Sequence, residues 1–76
     1  MNLLDRITIN PDVLVGKPTI RNLRISVDQI IKALAAGLTK DEILEEYPEL
    51  EKDDIKAALL YASKVLESEK IFTIDA

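Results

Sequence analysis

A proline punctuates the one stretch of this chain with sustained helical periodicity, Leu38 to Leu66, and divides it in two. Thr39 followed by Glu42 is a capping box, in which the hydroxyl satisfies an orphan amide and the carboxylate reaches back. The short helix that starts there carries Ile43, Leu44 and Tyr47 as its apolar residues. Pro48 drives Tyr47 out of the α region, so the helix ends there. Leu50 and Glu51 lead into a second helix with Asp53 and Asp54 in its first turn, where the macrodipole favours negative charge. Ile55, Ala58, Leu59, Ala62 and Leu66 recur at about helical spacing and are the expected buried stripe. Neither helix can bury such a stripe alone. A short helix, a turn of about four residues and a longer helix outline a helix-turn-helix, an outline shared with helix hairpins that never touch DNA.

The preceding residues supply the rest of the core. Arg6-Ile7-Thr8-Ile9 alternates and is β-branched, which predicts a short strand, and Asn10-Pro11-Asp12 breaks it. Val13-Leu14-Val15 is too short for its period to classify. Gly16-Lys17-Pro18 is a second break, after which Pro18 permits an edge strand or a loop. Residues 19–21 and 24–26 flank Asn22-Leu23 in the pattern of a tight hairpin. Asn22 suits a positive φ there and Leu23 does not, so the turn type stays open. Ile20 and Ile25 are expected on the buried face. Ser26 with Gln29 forms a second capping box, opening a helix with Val27, Ile30, Ile31, Leu34 and Ala35 on one face. Gly37 stands where that helix should stop. The tail from Ile71 to Ala76 is apolar and β-prone, consistent with a frayed end or an added strand.

The expected architecture is one α+β domain, mainly α: a β-hairpin region over residues 1–26, a three-helix, helix-turn-helix-like region over 27–68, and a tail over 69–76. At 76 residues the core is only just large enough to hold such a domain. An apolar fraction of 47% argues against disorder, and no run approaches the length of a membrane span. The N-terminus lacks the long apolar core of a signal peptide, so a cytoplasmic protein is expected. Cysteine and histidine are both absent, which removes disulfides, thiolate metal sites, the commonest zinc ligand and the usual general base. Ser26, Ser63 and Ser68 have no activating base in view. No catalysis, metal, cofactor or small-molecule substrate is expected.

Charge is placed unevenly. Residues 1–37 hold five cations against three carboxylates, while residues 38–76 hold five against eleven. Such asymmetry fits an anionic partner for one half and a cationic partner for the other, or an ordinary solvated surface. Lys17, Arg21 and Arg24, with no carboxylate between Val13 and Val27, are the first candidates for touching DNA. Equally open is that Arg21 and Arg24 pair with the acidic half. Lys52 and Lys56 are the alternative DNA set, at the front of the second helix of the pair, although Glu51, Asp53 and Asp54 oppose it there. Glu42, Glu45, Glu46 and Glu49 are candidates for holding a cationic partner; a solvated helix face is the bland reading. On the last helix Ala57, Leu60, Tyr61 and Lys64 lie opposite the expected stripe, and Leu60 and Tyr61 are large for a surface. A homodimer through that face is expected, with burial against the hairpin as the alternative.

Several of these blocks coincide with a known pattern. Ile9-Asn10-Pro11-Asp12, Gly16-Lys17-Pro18-Thr19-Ile20-Arg21, Arg24-Ile25-Ser26-Val27, Ala36-Gly37-Leu38-Thr39 and Tyr47-Pro48-Glu49-Leu50 resemble the prokaryotic family called domain of unknown function 433. The likeness covers roughly residues 7–67, and its most specific block is the one around Gly16 to Val27. Two departures stand out: Asn22-Leu23 replaces the family's Gly-Thr turn, and Glu51 replaces a threonine cap before the last helix. The resemblance implies a helix-turn-helix fold and a small antitoxin, often paired with a PIN-like nuclease toxin, with a role in DNA binding. The function expected is therefore a non-catalytic antitoxin that binds such a toxin and its own operator. A protein-interaction module without DNA binding is the competing class.

Overall fold

The computed structural model describes residues 2–68, in which an N-terminal antiparallel strand pair precedes three helices. A single 3-10 turn, Leu3–Arg6, leads into β1, Ile7–Ile9, which pairs with β2, Pro18–Ile20. The register sets Ile7 opposite Ile20, Thr8 opposite Thr19 and Ile9 opposite Pro18. Pro18 thus takes the first position of its strand, where its missing N–H is tolerated. The hydroxyls of Thr8 and Thr19 meet across the pair at 3.1 Å.

The tight turn after β2 differs from expectation in its residues. Positive φ falls on Arg21 (45°) and Asn22 (59°), and the Leu23 amide donates to the Ile20 carbonyl at 2.7 Å. Two consecutive positive φ values mark a type I′ turn. Leu23 is thereby spared the left-handed conformation, and Asn22 takes it as expected. The second arm is shorter than a strand: one bridge joins Thr19 to Ser26, and Ile20 donates to the Ile25 carbonyl at 3.0 Å. Pairing stops there because Ser26 is already the N-cap of the next helix.

That helix is α1, Val27–Ala35, opened by a capping box of Ser26 and Gln29 in which both reciprocal bonds are made. It ends in a Schellman motif. Gly37, at φ 98°, lets its own amide reach the Leu34 carbonyl and the Leu38 amide reach that of Ala33. Helix α2, Lys40–Glu46, starts at the Thr39/Glu42 capping box and stops at Tyr47, before Pro48. Helix α3, Lys52–Ser68, follows a short turn. The α2–turn–α3 unit has the helix-turn-helix outline.

Ile20, Ile25, Val27, Ile30, Ile43, Leu50, Ile55 and Ala58 make the core, with Tyr47 and Tyr61 packed at its edge. Each fully buried isoleucine contributes about 1.5–3 kcal/mol. On α1, Ala35 is exposed, whereas Val27 and Ile30 are buried and Ile31 and Leu34 pack on the core. On α3 the expected stripe holds only at its start. Leu59 and Leu66 are exposed, and the buried face runs through Asp54, Ile55, Ala57 and Ala58. The helix is rotated by roughly a quarter turn from the face that hydrophobicity alone selects. Its last six positions, 63–68, are all exposed, so α3 outruns the core. The expected terminal strand at Ile71–Ala76 lies outside the described residues.

Candidate nucleic-acid and partner interfaces

The rotation of α3 has a charged cause. Asp54, in the first turn of α3, is wholly buried, and its carboxylate accepts four hydrogen bonds. Arg6 Nη1 (2.9 Å) and Arg21 Nε (3.1 Å) reach one oxygen, while Arg21 Nη2 and the Glu51 amide (both 2.8 Å) reach the other. The Glu51 bond is the returning half of a capping box, with Asp54 at the third helical position accepting from the N-cap amide. Arg21 also donates to the Glu49 carbonyl at 2.8 Å, and Arg6 pairs with Glu51 at 2.7 Å. One carboxylate therefore ties the N-terminal 3-10 turn, the type I′ turn, the α2–α3 turn and α3 together. Burial alone would raise the Asp54 pKa; hydrogen bonds from Arg21, the Glu51 amide and Arg6 outweigh it and hold the carboxyl below its ordinary value. The Arg6 guanidinium is held above its usual value by Glu51 and then Asp54, and that of Arg21 by Asp54.

The candidate DNA cations consequently separate. Arg21 commits its guanidinium to Asp54 and the Glu49 carbonyl while its side chain stays 37% accessible; it pairs with the acidic half, the alternative that the sequence left open. Lys17 and Arg24 stay together, exposed, along a groove of about 500 Å³ that Lys32 and Gln29 also line. Neither Lys17 nor Arg24 has an ion-pair partner among the described residues. Asp28, on the same groove, pairs with Lys32 at 3.2 Å and offsets part of its charge. Lys32 escapes a reading of the sequence because a lone lysine on a helix carries no signal until the groove exists. Lys52 and Lys56 are exposed one turn apart on α3 and do not line this groove.

All four candidate partner carboxylates are exposed. Glu42 is committed to the Thr39 amide and hydroxyl, which hold its carboxyl below its ordinary value. Glu45 and Glu46 project from α2, and Glu49 lies in the turn beyond it with no ion-pair partner among the described residues.

The expected dimer face needs correcting. Ala57 is 0% exposed and belongs to the buried side of α3, because Asp54 draws that side inward. Tyr61 packs at the core edge, Leu60 is half-buried and Lys64 is exposed. Among the described residues, an apolar groove lies elsewhere: Val65 and Leu66, with Tyr61 and Ala62, form a groove of about 450 Å³ against Val27 and Ile31 of α1.

Comparison with known proteins shows a family and names no activity. Residues 7–62 match the family model described as Protein of unknown function (DUF433). The chain is 36% identical over 56 residues to the Uncharacterized protein y4eO of Sinorhizobium fredii (strain NBRC 101917 / NGR234). That alignment takes in 74% of this chain and spans 25% of the relative's length. No solved structure matches the chain. With most of its length, including the hairpin and the helix-turn-helix outline, covered by the family model, the chain belongs to the DUF433 family.

Proposed function

We propose that this protein is a non-catalytic, antitoxin-like DNA-binding protein that contacts DNA through the groove bearing Lys17 and Arg24 and holds a basic partner, such as a PIN-like nuclease, on its acidic helix pair. The observation that supports this reading is the segregation of uncommitted charge. Lys17 and Arg24 share one groove, while Glu45, Glu46 and Glu49 are exposed on α2 and the turn after it. Binding phosphates needs accessible cations, and each neutralised phosphate adds about 0.9 to the dependence of log affinity on log salt. The apolar groove between α1 and α3 suits a second copy of the chain, which would set two DNA-binding grooves in fixed register.

The test is a pair of substitutions at exposed positions. Lys17→Ala with Arg24→Ala should leave the melting temperature unchanged and weaken binding to the duplex upstream of the protein's own gene. The salt slope should fall by about 0.9 for each phosphate no longer neutralised. An unchanged slope moves the interface to Lys52 and Lys56. The apolar groove also favours a second reading, an interaction module that does not bind DNA. Failure of the wild type to shift any duplex at low salt, with a nuclease partner still captured, would select it.

A further inference from the structure

The sequence spends three successive positive φ values on the loop between β1 and β2. Leu14 (48°), Val15 (56°) and Gly16 (77°) form a left-handed turn closed by bonds from the Gly16 amide to the Val13 carbonyl and from Lys17 to Leu14. Glycine accepts this conformation without steric cost, whereas a β-branched side chain there is an outlier. Val15 is nevertheless 94% exposed, so it gains no packing that could offset the strain. A residue wrong for its backbone and unused by its core marks a place where something outside the chain sets the choice. What surrounds Val15 narrows that something. Leu14 and Val15 border the groove lined by Lys17, Arg24 and the paired Asp28 and Lys32. An apolar tip between cations, carrying no donor or acceptor of its own, matches the C5-methyl group of thymine in a DNA major groove flanked by phosphates.

We infer that the Val15 turn is a base-reading element that packs on thymine methyl groups while Lys17 and Arg24 hold the neighbouring phosphates. This rests on the DNA-binding reading above and adds to it a sequence preference. The experiment compares one duplex, taken from upstream of the protein's own gene, with the same duplex made with deoxyuridine in place of thymidine. Deoxyuridine lacks only the methyl group. The full chain should bind the uracil duplex about fourfold more weakly for each methyl group that Val15 would otherwise cover. Val15→Gly should bind both duplexes equally and melt at the same or a higher temperature, since the left-handed strain is relieved. Equal binding of both duplexes by the wild type overturns the inference and leaves the DNA reading standing. Discrimination that persists in Val15→Gly also overturns it, as does a lower melting temperature, which would give Val15 a role within the fold. No binding of either duplex removes the DNA reading and the inference together.

Discussion

Replacing Asp54 with alanine should destabilise the domain by about 3 kcal/mol, the lower end of the range for breaking a buried ion pair. The lower end follows from the exposure of its partners: the Arg6 and Arg21 side chains are 27% and 37% accessible and can turn to water. The Glu51 amide loses its cap acceptor as well. A domain of this size holds roughly 4–11 kcal/mol in total, so the loss is a large fraction of its stability. The melting temperature should fall by roughly 12–24 °C. Urea unfolding followed by far-UV circular dichroism measures the change directly. Acidification supplies an independent check. The folded carboxyl lies below its ordinary value, so its contribution is fully present above about 3.9 and is lost as pH falls through the folded value. Asp54→Asn should therefore remove part of the loss of stability that the wild type shows below pH about 4. A change below about 1 kcal/mol, the level of an exposed pair, together with an unaltered acid profile, would refute the clamp as an organising interaction.

Three further outcomes follow from the same geometry. Ala57→Leu should cost about 1–3 kcal/mol by overpacking the α3 core face, whereas an interface position there would leave the monomer's unfolding midpoint unmoved. Val65→Glu with Leu66→Glu should convert a dimer into a folded monomer in light scattering, since both side chains are exposed; a wild type monomeric at high micromolar concentration would rule out this dimer. Glu45→Lys with Glu49→Lys should slow association with a basic nuclease partner and reduce its salt dependence without lowering stability; association that does not change would reduce the acidic face to plain surface.

Local chemistry is readable from the chain, and long-range electrostatics is not. Both capping boxes, the Gly37 stop and the Pro48 break rest on interactions within a few residues and occur where the sequence places them. Ile20, Ile25, Ile43 and Ile55 are buried as their periodicity requires. Periodicity misplaces the face of α3 because an aspartate counts as solvent-facing until two arginines, 33 and 48 residues away, are known to reach it. The same blindness leaves the pairing of Arg21 undecided and puts Ala57 at the interface. One signal is present: Glu51 stands where a cap is wanted, and an acid three residues on is the natural returning partner. The grooves are beyond reach, because Lys17, Arg24 and Lys32 become neighbours only once α1 packs beside the loop.

The separation of Arg6, Arg21 and Asp54 along the chain also orders events during folding. The two helices with complete capping boxes are local structures that can form within microseconds, and the α2–α3 pair needs only short loops. The clamp must wait until the N-terminal strand has come across the whole domain, a closure that spans 48 residues and is entropically the slowest to make. It is then among the later contacts to form. Substitutions at Arg6, Arg21 or Asp54 act mainly on the rate of unfolding, while those at Ile43 or Leu50 also slow folding. Parting the N-terminal segment from α3 therefore breaks the clamp while leaving both capping boxes intact.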